Sequence, residues 1–221
     1  MNMPYQLVVF DWEGTLGDPL GHIHEALKTE SEALGLGVYD VELARRYVTL
    51  GLDKAVRKIF PDLALYQYER LLAGVQQALV SHHRAVYLFP GVRHLLEQLR
   101  KAGVDMAIAT NRGTQALQRV LHVSELEKFF SVTRSADQAP AKPCPQMLED
   151  ILELTGVPAD KALMIGDSIS DIEMASALHV ASLGVDFYYQ QDDDLKAAGA
   201  LQVFDDFFTL GRYLGLPAEL K

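Results

Sequence analysis

One stretch near the start of the chain, Leu7-Val8-Val9-Phe10-Asp11-Trp12-Glu13-Gly14-Thr15-Leu16, limits what the rest can fold into. Apolar residues rich in β-branching run without interruption into an aspartate. A run so short, with no polar residue at alternate positions, predicts a strand covered on both faces, as in a parallel sheet. Asp11 then falls where the strand stops, at the carboxyl edge that receives ligands in open α/β sheets. A carboxylate there can act as a nucleophile or a metal ligand; the plainer alternative is a turn that happens to contain an aspartate. Gly14 lets the backbone bend sharply and turn the amides of Trp12, Glu13 and Gly14 inward.

After Leu16 the pattern changes to helix upon helix. His24, Leu27, Ser31 and Leu34 share one helical face, and Gly35 and Gly37 break the run. Periodic runs follow over Val41 to Val48, over Leu52 to Phe60 up to Pro61, and from about Leu63 to His83. No strand pattern interrupts them, so residues 18–87 are expected to form an α-helical cap inserted after a first strand at residues 5–11.

Residues 1–17 and 88–221 alternate strand with helix instead. A helix beginning near Pro90 runs to Lys101 and stops at Gly103; proline suits a first turn and glycine a C-terminus. The pattern then predicts a strand over Val104 to Ala109, a helix over Gly113 to Leu121 and a short strand over Phe129 to Thr133. A helix follows from Pro143 to Leu154 with Gly156 after it, then a strand over Ala162 to Ile165 and a helix over Ile169 to Leu178. Val180 to Val185 gives a further strand, and Leu201 to Phe204 with a helix from Asp205 covers one edge. Asp192-Asp193-Asp194 is expected as a solvated loop. Because parallel strands need crossovers, the class is α/β: a doubly wound parallel sheet, a Rossmann-like core, with an inserted α-helical cap.

The composition narrows the function. A net charge of −10 disfavours nucleic acid, whose phosphates call for lysine and arginine. It leaves room for a small phosphorylated molecule, which a few local cations can hold. Cys144 is the single cysteine, so no disulfide forms within the chain and a reducing compartment is expected. No charged leader or long apolar segment is visible and no run reaches the length of a membrane span, so a cytoplasmic protein is expected, as monomer or homodimer.

Four stretches, in order, carry a resemblance: Asp11-Trp12-Glu13-Gly14-Thr15-Leu16, Ile108-Ala109-Thr110-Asn111, Lys142-Pro143-Cys144-Pro145, and Ile165-Gly166-Asp167-Ser168-Ile169-Ser170-Asp171. Together they resemble the motifs of the haloacid dehalogenase superfamily, and of its phosphoglycolate phosphatase-like group in particular. The resemblance implies a phosphatase in which Asp11 attacks phosphorus to give an aspartyl-phosphate, dividing one difficult displacement into two. It implies Mg²⁺, a hard cation suited to oxygen ligands, held by the Asp11 carboxylate, the Glu13 backbone carbonyl and Asp167. Asp171 lies one helical turn beyond Asp167 and is assigned to the metal as a partial or outer ligand. Helix capping is the plainer reading of that pair. Thr110 and Asn111 offer a hydroxyl and an amide to a phosphate oxygen, or simply cap the next helix. Lys142, held by two prolines that favour an extended chain, is read as a bridge between nucleophile and phosphate; standing alone it would be a surface lysine.

Two departures stand out. Glu13 replaces the second aspartate of the phosphatases, the group that protonates the leaving oxygen and later activates water. Its stem is longer by one methylene, and a misplacement of about 1 Å can cost on the order of 100-fold in rate, so a slowed enzyme is expected. Arg112 takes the place of the lysine common after the Thr-Asn pair. In the cap, Asp18 and Lys54 are the candidates for specificity, Lys54 ahead of Arg45 and Arg57. The alternatives are a phosphonatase using a cap lysine, a phosphomutase on the same fold, and a non-catalytic pseudo-phosphatase whose support is Glu13.

Overall fold

The computed structural model describes residues 3–81 and 85–217. The chain divides into two compact units, Met1–Asp18 with Leu88–Lys221, and Pro19–Tyr87.

The first unit is built on β1 (Leu7–Phe10), every residue of which is buried, the reason it reads as an uninterrupted apolar run. The chain returns to this unit at Leu88, after passing through the second unit, and forms α5 (Val92–Lys101). There follow β2 (Asp105–Thr110), α6 (Thr114–Ser124), β3 (Val132–Ser135), α7 (Gln146–Thr155), β4 (Ala162–Gly166) and α8 (Ile169–Ala177). The unit ends with β5 (Ala181–Val185), α9 (Asp192–Ala198), β6 (Val203–Phe204) and α10 (Phe207–Tyr213). The strands form one sheet in the order β3-β2-β1-β4-β5-β6, and every pair is parallel. Helices cover both faces. Leu7 and Val9 face a cluster with Met147, Leu148 and Ile151 of α7 and Met174 and Ala175 of α8. Val8 and Phe10 alternate to the opposite face, and α5 packs against β2 and α10.

The second unit contains α1 (Gly21–Ala33), α2 (Val41–Val48), α3 (Leu52–Ile59) and α4 (Leu65–Ser81). Leu27, Ala44, Ala55, Val56, Leu71 and Val75 close a core belonging to this unit alone. His24 and Ser31 lie on the buried face of α1, and Leu34 is its C-cap. His83, where the periodicity put the end of the fourth helix, lies outside the described residues. No helix among the described residues is long and apolar enough to cross a membrane.

The two chain passages that bound the insertion are tied together on the core side. Gly17 and Leu88 form an antiparallel bridge, and the Phe89 amide donates to the Leu16 carbonyl at 3.1 Å. A Cβ on Gly17 would lie 2.6 Å from the Trp12 indole nitrogen, so Trp12 packs directly beneath this passage.

Three expectations need correction. The third strand begins at Val132, and Phe129 sits instead in a 3₁₀ turn, Glu127–Phe129. Aromatic β-propensity drew the expected strand too early. Pro143 and Pro145 precede α7, which starts at Gln146 with Pro145 as its N-cap; the Cys144 amide donates to Ala141 at 3.1 Å across a cis Lys142–Pro143 peptide, a tight turn where an extended segment was expected. Asp192, Asp193 and Asp194 open α9, where their charges complement the helix dipole and Asp192 accepts from Lys196 at 2.8 Å.

Candidate active site

The strand order decides which residues meet. β1 lies between β2 and β4, with Phe10 level with Ile108 on one side and Ile165 on the other. The next residues along all three strands therefore emerge together at the carboxyl edge, at the point where the strand order reverses. Asp11 follows β1, Thr110 ends β2 with Asn111 after it, and Asp167 follows β4. These residues, with Glu13, Arg112, Lys142, Ser168 and Ser170, line one cavity of about 450 Å³.

Lys142 organises the floor. Its Nζ donates to Asp11 Oδ1 at 2.6 Å, to Asp171 Oδ1 at 2.6 Å and to the Ala109 carbonyl at 3.1 Å. An ammonium has three protons, so all are committed. A phosphate contact by Lys142 has to replace one of these bonds, and its role in this arrangement is to orient and neutralise Asp11. The turn carrying Lys142 is fixed by its backbone amide, which donates to Asn111 Oδ1 at 2.9 Å. The Asn111 side chain is thus a strut for Lys142, leaving its amide for a ligand.

Asp171 is fully buried, and its second oxygen accepts from the Ser168 amide at 3.1 Å and the Ser168 hydroxyl at 2.7 Å. Both oxygens have donors, so Asp171 supports Lys142 and the start of α8. Gly166 permits this approach: a Cβ there would lie 2.4 Å from Asp171 Cβ. Asp167 accepts from the Thr15 hydroxyl at 3.1 Å, a partner the sequence pattern did not single out although Thr15 belongs to the same turn. Thr110 is buried, and its Oγ1 accepts the Arg112 amide at 3.2 Å, which leaves its own proton for another acceptor.

The electrostatics describe a site built for more positive charge. One carboxylate oxygen from each of Asp11, Asp167 and Asp171 lies within 4.8 Å of the others. Burial, more than any other cause, raises the Asp11 pKa to about 6; Lys142 opposes the rise and Asp171 adds to it. Burial likewise raises Asp167 to about 7, with the charges of Asp11 and Asp171 pushing the same way. Burial disfavours the charge on Lys142, but Asp11 and Asp171 outweigh it and hold its pKa above the usual value. Three clustered carboxylates face one ammonium, and Asp167 has no cation of its own among the described partners. An all-oxygen donor set with excess negative charge fits a hard divalent cation. Asp11, Asp167 and Asp171 each offer an oxygen that could hold it.

Glu13 and Arg112 form the rim. The Arg112 Nε donates to Glu13 Oε2 at 3.1 Å, and its Nη2 bonds the same oxygen. This pairing was not legible in the sequence. Asp18 accepts from the Tyr188 hydroxyl within the first unit. Lys54 is exposed on α3 of the second unit, and beside it Arg57 donates to Asp53 at 3.4 Å.

The chain is similar to known proteins over most of its length. The family model for haloacid dehalogenase-like hydrolase matches residues 8–185. A phosphoglycolate phosphatase from Pseudomonas savastanoi pv. phaseolicola is 31% identical over 212 residues, covering 93% of this chain and 78% of the relative. The crystal structure of a hydrolase from Pseudomonas syringae is 26% identical, with a TM-score of 0.62 and coverage of 95% of this chain and 98% of that one. The crystal structure of CbbY from Rhodobacter sphaeroides in complex with phosphate shares the fold at 22% identity, with a TM-score of 0.60 over 94% of this chain and 96% of that one.

Proposed function

Since this chain belongs to the haloacid dehalogenase-like hydrolases, we propose that it is a Mg²⁺-dependent phosphomonoesterase acting through an aspartyl-phosphate. It is a phosphatase, similar to curated phosphoglycolate phosphatases. Its substrate on this reading is a small phosphorylated acid of the phosphoglycolate type, handled in the cytoplasm by a monomer or homodimer. The carrying observation is the convergence of Asp11, Thr110 and Asp167 from separate strand ends, and of Lys142 from the turn before α7, on one cavity.

Asp11 attacks phosphorus with a carboxylate oxygen while Lys142 holds the other oxygen and favours the ionised form. The bond from phosphorus to the substrate oxygen breaks, and that oxygen takes a proton from the Glu13 carboxyl. In the second half, Glu13 takes a proton from water as the water attacks phosphorus. The Asp11–phosphorus bond breaks, releasing inorganic phosphate and restoring the Asp11 carboxylate and the protonated Glu13 carboxyl. The Thr110 hydroxyl and the Asn111 amide donate to the phosphoryl oxygens throughout. Asp11, the Glu13 carbonyl and Asp167 would hold Mg²⁺, which would supply the charge neutralisation that phosphoryl transfer needs.

The test is turnover of p-nitrophenyl phosphate with MgCl₂ or with EDTA, in wild type and Asp11→Asn. Metal-dependent turnover that disappears in the variant supports the proposal. Turnover that survives it removes Asp11 from the chemistry. A panel of phosphorylated acids and sugar phosphates, with product analysis, then separates hydrolysis from mutase transfer.

A further inference from the structure

We infer that Arg112 is a positioning residue for the proton-transfer group Glu13, and that the two departures from the usual phosphatase pattern form one compensating pair. The inference rests on the phosphatase reading above and extends it to a residue outside the four motif positions.

The geometry carries the argument. Glu13 has one more rotatable bond than aspartate, and its carboxylate needs a restraint to meet the leaving oxygen and then water. Arg112 supplies it from the adjoining strand end, with Nε at 3.1 Å and Nη2 both on Glu13 Oε2. Oε1 is left without a hydrogen-bond partner among the described residues, and an oxygen free of donors is what a proton acceptor requires. The guanidinium is itself well placed to act as an anchor. The Arg112 amide donates to Thr110 Oγ1 at 3.2 Å, and its carbonyl accepts from Ala136 at 3.3 Å, so the backbone is held at both ends. A planar fork loses less freedom than a lysine on making these bonds, so arginine suits the position better than the lysine it replaces. Glu13 and Arg112 line the same cavity as Asp11, so the pair acts at the reacting centre. A half-exposed ion pair contributes little to stability, so its removal leaves the fold intact and the kinetic readout clean.

The test is a double-mutant cycle with Arg112→Ala and Glu13→Asp, read by rapid-mixing kinetics with p-nitrophenyl phosphate and MgCl₂. p-Nitrophenolate leaves without needing a proton, so kcat/KM reports phosphorylation of Asp11, whereas kcat reports its hydrolysis once that step limits. In Arg112→Ala, kcat is expected to fall about 10- to 100-fold with a full burst of p-nitrophenolate, and kcat/KM to stay within about threefold. In Glu13→Asp the shorter side chain no longer reaches the guanidinium, so adding Arg112→Ala changes kcat by less than about threefold. Independently of turnover, the Arg112 Nε–H resonance in NMR spectra of the metal-free protein is expected to shift in Glu13→Gln. An equal loss of kcat in both backgrounds, a raised KM at unchanged kcat, or an unmoved resonance would overturn the inference. Wild-type protein without turnover, or turnover retained in Asp11→Asn, would instead overturn the phosphatase reading itself.

Discussion

At Gly14 two demands meet on one atom that is missing. Its φ of +79° belongs to the left-handed region, and a Cβ would stand 2.1 Å from Asp167 Oδ2. Gly14→Ala should therefore cost about 1–3 kcal/mol in backbone strain, measured by urea unfolding. It should also push Asp167 out of place, so that MgCl₂ no longer raises the unfolding midpoint. Thr15→Val is a gentler change: it removes the hydroxyl that holds Asp167 at 3.1 Å and keeps the volume. Loss of such a supporting hydrogen bond weakens metal binding by roughly 10- to 100-fold, which titration calorimetry with MgCl₂ should register. At this scale the sequence was a good guide wherever a polar residue ended an apolar run, because strand direction alone delivers Asp11, Thr110 and Asp167 to the same edge. It was silent on the Glu13–Arg112 contact. Those residues lie on neighbouring loops distant in sequence, and their meeting depends on side-chain directions that periodicity does not encode.

Helix α6 shows what the elements contribute. It begins at Thr114, whose amide donates to both carboxylate oxygens of Asp137 at 3.0 Å, a cap supplied from the loop after β3. The Thr114 amide holds the Asp137 pKa below its ordinary value of 3.8. A depressed carboxylate stabilises the fold at every pH above the unfolded value, and that contribution is lost as pH falls through the lower folded value. Asp137→Ala should accordingly lower the melting temperature at pH 7, and the gap from wild type should close when both are melted well below pH 3.8. An undiminished gap in acid would mean that Asp137 acts through packing. Boundaries are less legible in the sequence than elements. α2 spans Val41–Val48 as its periodicity implies, whereas α9 is hidden because its first turn is three aspartates that read as a loop. A cap such as Asp137 is invisible in sequence for a related reason: the donor and the acceptor belong to different elements.

Across the molecule, each unit closes its own apolar interior. Leu71 and Leu148 are both fully buried, one within Pro19–Tyr87 and one under the sheet. Truncating either to alanine should cost about 2–5 kcal/mol. Hydrogen exchange followed by mass spectrometry should place the loosening from Leu71→Ala within residues 19–87, and that from Leu148→Ala in the sheet and its helices. Exchange that accelerates uniformly in both variants would mean a single cooperative unit. The bridge between Gly17 and Leu88 bears on how such a chain is assembled. Neighbouring paired strands stand about 4.8 Å apart, so the outgoing and returning ends are already stitched before anything is placed between them. The Rossmann-like layer can then accept a different passenger at that seam, or a short bypass, without unpicking a single rung of its ladder.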